Sequence, residues 1–192
     1  MANNFEFIPT LLNGLVLIKP FIATDNRGAF IKDYSYETFL KEDNKYSLQE
    51  AFYTVSKKGV VRGMHFQKVK QQPKLVRCIS GEVYDVVVDL RKDSPTFKCW
   101  MGFYLNDKNN YELLIPEGFA HGYMVLEDSI VSYKCAEKFY GSYDSGIKYD
   151  DEDINIEWPY DRIGGKDKVI LSDKDMQLQS FQHFVDNYES EF

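Results

Sequence analysis

Cysteine and histidine are both scarce in this chain, at three residues each out of 192. Cys78, Cys99 and Cys135 are odd in number and show no CxxC spacing. That excludes a disulfide framework or a zinc knuckle and leaves reduced core thiols as the expectation. No stretch approaches the roughly 20 apolar residues that a membrane-spanning helix needs, and the opening MANNFEFIPT lacks a basic start followed by an apolar run. The expected location is the cytoplasm, with no membrane partner. Positive charge is also in short supply. With a net charge of −7 the chain lacks the clustered Lys and Arg of a general nucleic-acid surface, so any anionic ligand needs a local basic cluster. Linkers, charge blocks, repeats and low-complexity segments are missing too, and residues 1–192 are read as one domain.

Aromatic residues are abundant, with 14 Tyr and 14 Phe, enough for a sizeable core. Runs such as GLVLIKPF, AFYTVSK, VVRGMHFQ, KLVRCIS, EVYDVVVDL, KCWMGFYL, HGYMVL and SIVSYKCAEKF have strand length and strand composition. Between them lie DNRG, KKG, SGE, NDKNN, PEG and EDS, the punctuation of hairpins. The pattern is all-β, a sandwich or barrel, with a jelly roll the common solution at this size. Two helices are predicted at the margins. One is short, within SYETFLKED. The other is carboxy-terminal, LSDKDMQLQSFQHFVDNY, with Ser172 as N-cap and Asp175 as the acidic partner of a capping box.

Candidate chemistry concentrates in a few places. Arg62 and His65 stand at odd separation on a strand and would face opposite sides, but Gly63 between them invites a bulge that re-aims one side chain. An exposed arginine and a satisfied core histidine are the structural alternative. Lys74 opens a strand whose partner is expected to be EVYDVVVDL, after a turn at Ser80 and Gly81. Within that valine-rich run Asp85 and Asp89 require partners, and ion pairs to Lys74, Arg77 or Arg91 are the expected ones. His121 begins the strand after the Pro116 and Gly118 turn. A His65 and His121 metal pair would lack a second close histidine and a glutamate, and Gln67 is a poor ligand, so no metal is expected. Tyr133 reads locally as a packed strand tyrosine.

Taken in order, DNRGAF, RGMHFQ, KLVRCISGEVYDVVVDLRKDSPTF, IPEGFAHGY, SYKC, IEWP and ILSDKD resemble the dTDP-4-dehydrorhamnose 3,5-epimerase family, metal-free cupins that epimerise nucleotide-linked 4-keto sugars. The likeness runs from about Leu15 to Met176. It implies a cupin-type jelly roll (double-stranded β-helix) and no cofactor. It also implies a homodimer in which the amino-terminal strand of one subunit completes the partner's sheet. His65 matches the family's base, which removes a proton beside the C4 ketone, and Asp175 matches the carboxylate that orients it. The capping role of Asp175 competes with that one. Lys74 matches the lysine near the C4 oxygen, where an enolate forms. Tyr133 matches the residue that returns a proton on the opposite face. Arg27 and Arg62 match diphosphate- and sugar-contacting arginines, His121 a further pocket histidine, and Phe139 joins the substrate-binding set.

Departures from the family pattern bear on specificity. Where most members read Gln-Asp-Asn-His-Ser this chain has EAFYT, placing Glu50 and Phe52 where amides usually meet the sugar, and Lys32 stands where a glutamate is common near the nucleotide. The expectation is an isomerase inverting C3, C5 or both of a nucleotide-diphosphate-linked 4-keto-6-deoxy sugar, for a surface polysaccharide. The departures predict a preferred 4-keto substrate other than dTDP-4-keto-6-deoxyglucose, such as a CDP- or GDP-linked deoxy sugar or a heptose. An ordinary rhamnose-pathway 3,5-epimerase, a single-centre epimerase, a catalytically silent sugar-nucleotide-binding cupin and a metal-dependent cupin are the alternatives.

Overall fold

The computed structural model describes residues 5–42 and 46–188. In chain order its elements are β1 (Glu6–Pro9), β2 (Val16–Lys19), β3 (Phe21–Asp25), β4 (Gly28–Lys32), α1 (Tyr36–Lys41), β5 (Glu50–Ser56), β6 (Val61–Gln67), β7 (Lys74–Ser80), β8 (Glu82–Asp89), β9 (Trp100–Asn106), β10 (Glu112–Ile115), β11 (Phe119–Val125), β12 (Ser129–Cys135), β13 (Asp144–Gly146), α2 (Tyr160–Ile163), α3 (Asp173–Met176) and α4 (Phe181–Asp186). One sheet runs β1-β2-β10-β7-β12-β5, a second runs β13-β6-β11-β8-β9, and β3 with β4 forms a separate hairpin. All these pairings are antiparallel. The result is the jelly-roll layering expected from the alternating strand pattern.

The sequence period explains which face each strand buries. In β12 burial alternates residue by residue, so Val131, Tyr133 and Cys135 point between the sheets. They meet Val76 and Cys78 of β7 and Val87, Tyr123 and Val125 from the second sheet. Every residue of β11 is buried, because the second sheet is covered on both faces. Its outer face packs under the carboxy-terminal segment, where Met64, Phe66, Val86 and Val88 meet Ile147, Trp158, Phe181 and Phe184. A smaller cluster of Ile18, Phe39, Leu75 and Leu114 seats α1 on the outer face of the first sheet.

Several details differ from the sequence expectations. Strands β7 and β8 are not hydrogen-bonded partners. The turn at Gly81 carries the chain from one sheet to the other, with φ +78 and a position where a Cβ would sit 2.3 Å from the Asp128 carbonyl oxygen. The predicted carboxy-terminal helix is two short ones. Gln179 instead bridges to Ile147, and Ser180 caps a new start by accepting the His183 N–H at 3.2 Å. Tertiary pairing outweighs helix propensity there. Helix α1 falls within SYETFLKED, whose Asp43 lies outside the described residues. Cys78 and Cys135 are core thiols, as expected, whereas Cys99 is exposed. None of the strand-like runs covered β1, β3 or β13, and an amino-terminal strand was implied by the resemblance alone. No helix among the described residues is long and apolar enough to cross a membrane.

Candidate active site

A cleft of about 220 Å³ is lined by side chains from both sheets. From the second sheet come Arg62 and His65 of β6 and His121 of β11. From the first come Phe52 and Thr54 of β5, Lys74 of β7 and Tyr133 of β12. Arg62 is opposite Tyr123 and His65 is opposite His121, so Gly63 and Met64 on β6 face only Gly122 on β11. That extra residue is the bulge which lets Arg62 and His65 reach one cavity while Met64 turns into the core behind. Only glycine fits at position 63. Its φ is +127, and a Cβ would lie 2.5 Å from Gly122 Cα.

His65 Nε2 lies 2.5 Å from Asp175 Oδ1, joining β6 to α3 across 110 residues of chain. The capping and charge-partner roles of Asp175 turn out to be compatible, because each uses different atoms. Ser172 Oγ accepts the Asp175 N–H at 3.1 Å as N-cap and donates to Asp175 Oδ2 at 2.8 Å, leaving Oδ1 for the imidazole. Burial pushes the Asp175 carboxyl up, but the His65 and Ser172 hydrogen bonds and the His65 and Lys174 charges outweigh it and hold the group below the usual carboxylate range.

A second imidazole–carboxylate pair sits deeper. His121 Nε2 is 2.9 Å from Asp85 Oδ2, with both groups almost fully buried. This corrects the expected ion pair of Asp85 with a cation, whereas Asp89 does pair with Arg91, at 2.7 Å, and also accepts from Ser94 and Thr96. Burial raises the Asp85 carboxyl and the His121 contact opposes the rise. Both histidines are thus committed to carboxylates. Among the described residues no group of three or more His, Cys, Asp or Glu is placed to hold a metal ion.

On the facing sheet Tyr133 is stacked on Phe52, with ring centroids 4.9 Å apart at 14°, and meets His121 edge-on at 6.0 Å. Tyr123 Oη lies 2.7 Å from Thr54 Oγ1, which lines the cleft. Burial, with Tyr123 and Asp85 nearby, raises the Tyr133 phenol well above its ordinary value, so it keeps its proton at neutral pH. Burial lowers the Lys74 ammonium against the opposing pull of Cys135, Asp144 and Asp85. With Arg62 and Lys174, it gives this acidic chain a local cationic lining.

A family model described as dTDP-4-dehydrorhamnose 3,5-epimerase matches residues 9–183. The chain belongs to that family. It is 46% identical over 172 residues to the dTDP-4-dehydrorhamnose 3,5-epimerase of Methanothermobacter thermautotrophicus, covering 89% of this chain and 91% of that one. Among solved structures, the dTDP-6-deoxy-D-glucose-3,5-epimerase of Legionella pneumophila, in complex with dTDP-4-keto-L-rhamnose, superposes with TM-score 0.87 at 35% identity, covering 93% of this chain and 94% of that one. The dTDP-4-dehydrorhamnose 3,5-epimerase of Bacillus anthracis, with TDP and PPi bound, gives TM-score 0.86 at 38% identity, covering 93% and 100%.

Within this family member, not every residue singled out from the sequence reaches the cleft. His65, Lys74, Tyr133, Arg62, His121, Phe52 and Phe139 line it, and Asp175 stands behind His65. Arg27 is at the tip of the β3–β4 hairpin, 86% exposed and paired with Asp25. Lys32 is at the hairpin base opposite Phe21, outside the cleft. Glu50 is also outside it, with its carboxylate on the Phe139 N–H at 3.0 Å. Sequence reasoning missed Thr54, Lys174, Asp144 and Gln72 as lining residues and Asp85 as the partner of His121. Only Asp85 carried a signal, a carboxylate in a valine run.

Proposed function

We propose that this family member inverts C3 and C5 of dTDP-linked 4-keto-6-deoxy-D-glucose, supplying a deoxy sugar for a surface polysaccharide. The observation that carries the reading is the placement of His65 and Tyr133 on opposing sheets across one cleft. His65, oriented by Asp175, takes the proton from the carbon beside the ketone, and the bonding pair moves onto the C4 oxygen. Lys74 stabilises that enolate, and Tyr133 gives its proton to the other face of the carbon. No redox change occurs, so the reaction needs no cofactor.

The sequence expectation of a different nucleotide sugar leaned on Glu50, Phe52 and Lys32 together. Only Phe52 of the three faces the cleft, and the relatives are dTDP-4-dehydrorhamnose 3,5-epimerases. A dTDP-linked substrate is therefore the favoured reading. With dTDP-, CDP- and GDP-linked 4-keto-6-deoxyglucose compared side by side, kcat/KM is expected to be highest for dTDP. A higher value for either of the others would contradict the proposal.

A cleft of about 220 Å³ is smaller than the roughly 300–1,000 Å³ of sites that enclose a whole ligand. It takes the sugar and leaves the nucleotide across its mouth. The second half of the proposal is a homodimer in which the partner's β3–β4 hairpin covers that mouth and brings Arg27 to the diphosphate. Phe30 and Ile22 of the hairpin are exposed, as are Tyr53 and Val55 on the edge strand β5, and such surfaces favour pairing. The element implied by the resemblance was the amino-terminal strand, but β1 is paired with β2 of its own chain. Lys32, five residues from Arg27 and so about 17 Å away along the strand, stays clear of the diphosphate. Sedimentation at micromolar concentration is expected to give the dimer mass, and a monomer would refute this arrangement. The proposed compartment is the cytoplasm.

A further inference from the structure

The segment 137–140, just past β12, has no sheet partner, yet its backbone is held at every residue by side chains from elsewhere. Gln72 Nε2 donates to the Glu137 carbonyl at 2.8 Å. Gln67 Nε2 donates to the Lys138 carbonyl at 3.1 Å, and Gln67 Oε1 accepts the Tyr140 N–H at 2.8 Å. Glu50 Oε2 accepts the Phe139 N–H at 3.0 Å. These contacts fix a short stretch whose one product is the placement of the Phe139 ring, which lines the cleft while 57% exposed. Packing alone does not hold so exposed a ring; its backbone is what is restrained. Gln67 is itself buried and spends both ends of its amide on this stretch, with a further bond to the Lys70 carbonyl.

We infer that Glu50, Gln67 and Gln72 are positioning residues that preorganise Phe139 as an apolar lip on the cleft, and that Glu50 acts on the substrate only through that ring. The inference rests on the proposed sugar-nucleotide reaction for its kinetic consequence, though not for its structural one. An ordered lip spares the substrate the cost of immobilising it on binding. Loosening it should therefore raise KM and leave the proton transfers, made by His65 and Tyr133 rather than by the lip, at their own rate. It also gives the carboxylate at position 50 its partner: it faces a backbone N–H, where a charged acceptor makes the stronger bond.

The test combines amide hydrogen exchange at Phe139 with steady-state kinetics of Glu50→Gln, Glu50→Leu, Phe139→Ala and the double variant Glu50→Leu/Phe139→Ala. Should Glu50→Leu fail to fold, Glu50→Ala takes its place. Glu50→Leu is expected to lose protection at the Phe139 amide and to raise KM about tenfold with kcat within about twofold. Glu50→Gln, which keeps an acceptor oxygen, should restore both. The double variant should match Phe139→Ala alone, since the two changes remove one effect. Unchanged exchange in Glu50→Leu, a Glu50→Gln variant as impaired as Glu50→Leu, or multiplying KM effects in the double variant would each overturn the inference. Wild-type protein without epimerase activity would instead refute the proposed reaction and leave the clamp to be judged by the exchange data.

Discussion

Replacing His65 with Asn should lower epimerisation about 100- to 10,000-fold, the usual loss on removing a general base, while dTDP binding remains. His65, the proposed base, is the one imidazole lining the cleft whose carboxylate partner lies on a separate helix: Asp175 Oδ1 is 2.5 Å from His65 Nε2. That partner fixes the tautomer and stabilises the imidazolium that forms on proton abstraction. Asp175→Asn should therefore fall in the same direction with a smaller loss, because the base survives and only its orientation and charge balance suffer. The pair also predicts a pH response. The Asp175 carboxyl is held below its ordinary value of 3.8, so its stabilising contribution is fully present above that value. It is lost as pH falls through the lower folded value. Acid unfolding of Asp175→Asn should lack that component, and an unchanged acid limb would count against the ion pair.

Tyr133→Phe should produce a different defect. The phenol is the only ionisable group of β12 facing the cleft among the described residues, and burial keeps it protonated. Without its hydroxyl, His65 can still remove the substrate proton and return it to the face it came from. Exchange with solvent should persist while inversion falls about 100-fold or more. Tyr123 keeps its bond to Thr54 at 2.7 Å, and the ring retained by Tyr133→Phe keeps its stack on Phe52, so the strand keeps its packing. Equal loss of exchange and inversion would show that Tyr133 is needed for abstraction itself and would contradict the assignment.

How much of this was legible in the sequence depends on the length scale of the interaction. Strand identity followed from period and turn residues, and β6 with its Gly63 bulge could be read from VRGMH alone. Sheet membership could not. Ser80 and Gly81 look like a hairpin turn, and only the packing of Gly81 against the Asp128 carbonyl shows the chain crossing between sheets. The bond between His65 and Asp175 spans too much chain for spacing to reveal and came from the family resemblance. Asp85 was visible as an anomaly, but its partner depends on β8–β11 register, which places His121 two residues along from the position opposite Asp85, on the same face. The contact that Glu50 makes was hidden for a related reason. Its position matches that of a sugar-contacting amide, but its carboxylate faces a backbone N–H supplied by a loop 89 residues away.

The central claim is that a base on one sheet and an acid on the other act on opposite faces of the same carbon. It is tested most directly by running the wild-type reaction on dTDP-4-keto-6-deoxy-D-glucose in deuterium oxide and locating the label by NMR. The account predicts one deuterium at C3 and one at C5, each on a carbon whose configuration is inverted. Product inverted at either carbon with its original hydrogen retained would contradict it, because a proton taken by His65 on one face cannot be the one that Tyr133 delivers to the other.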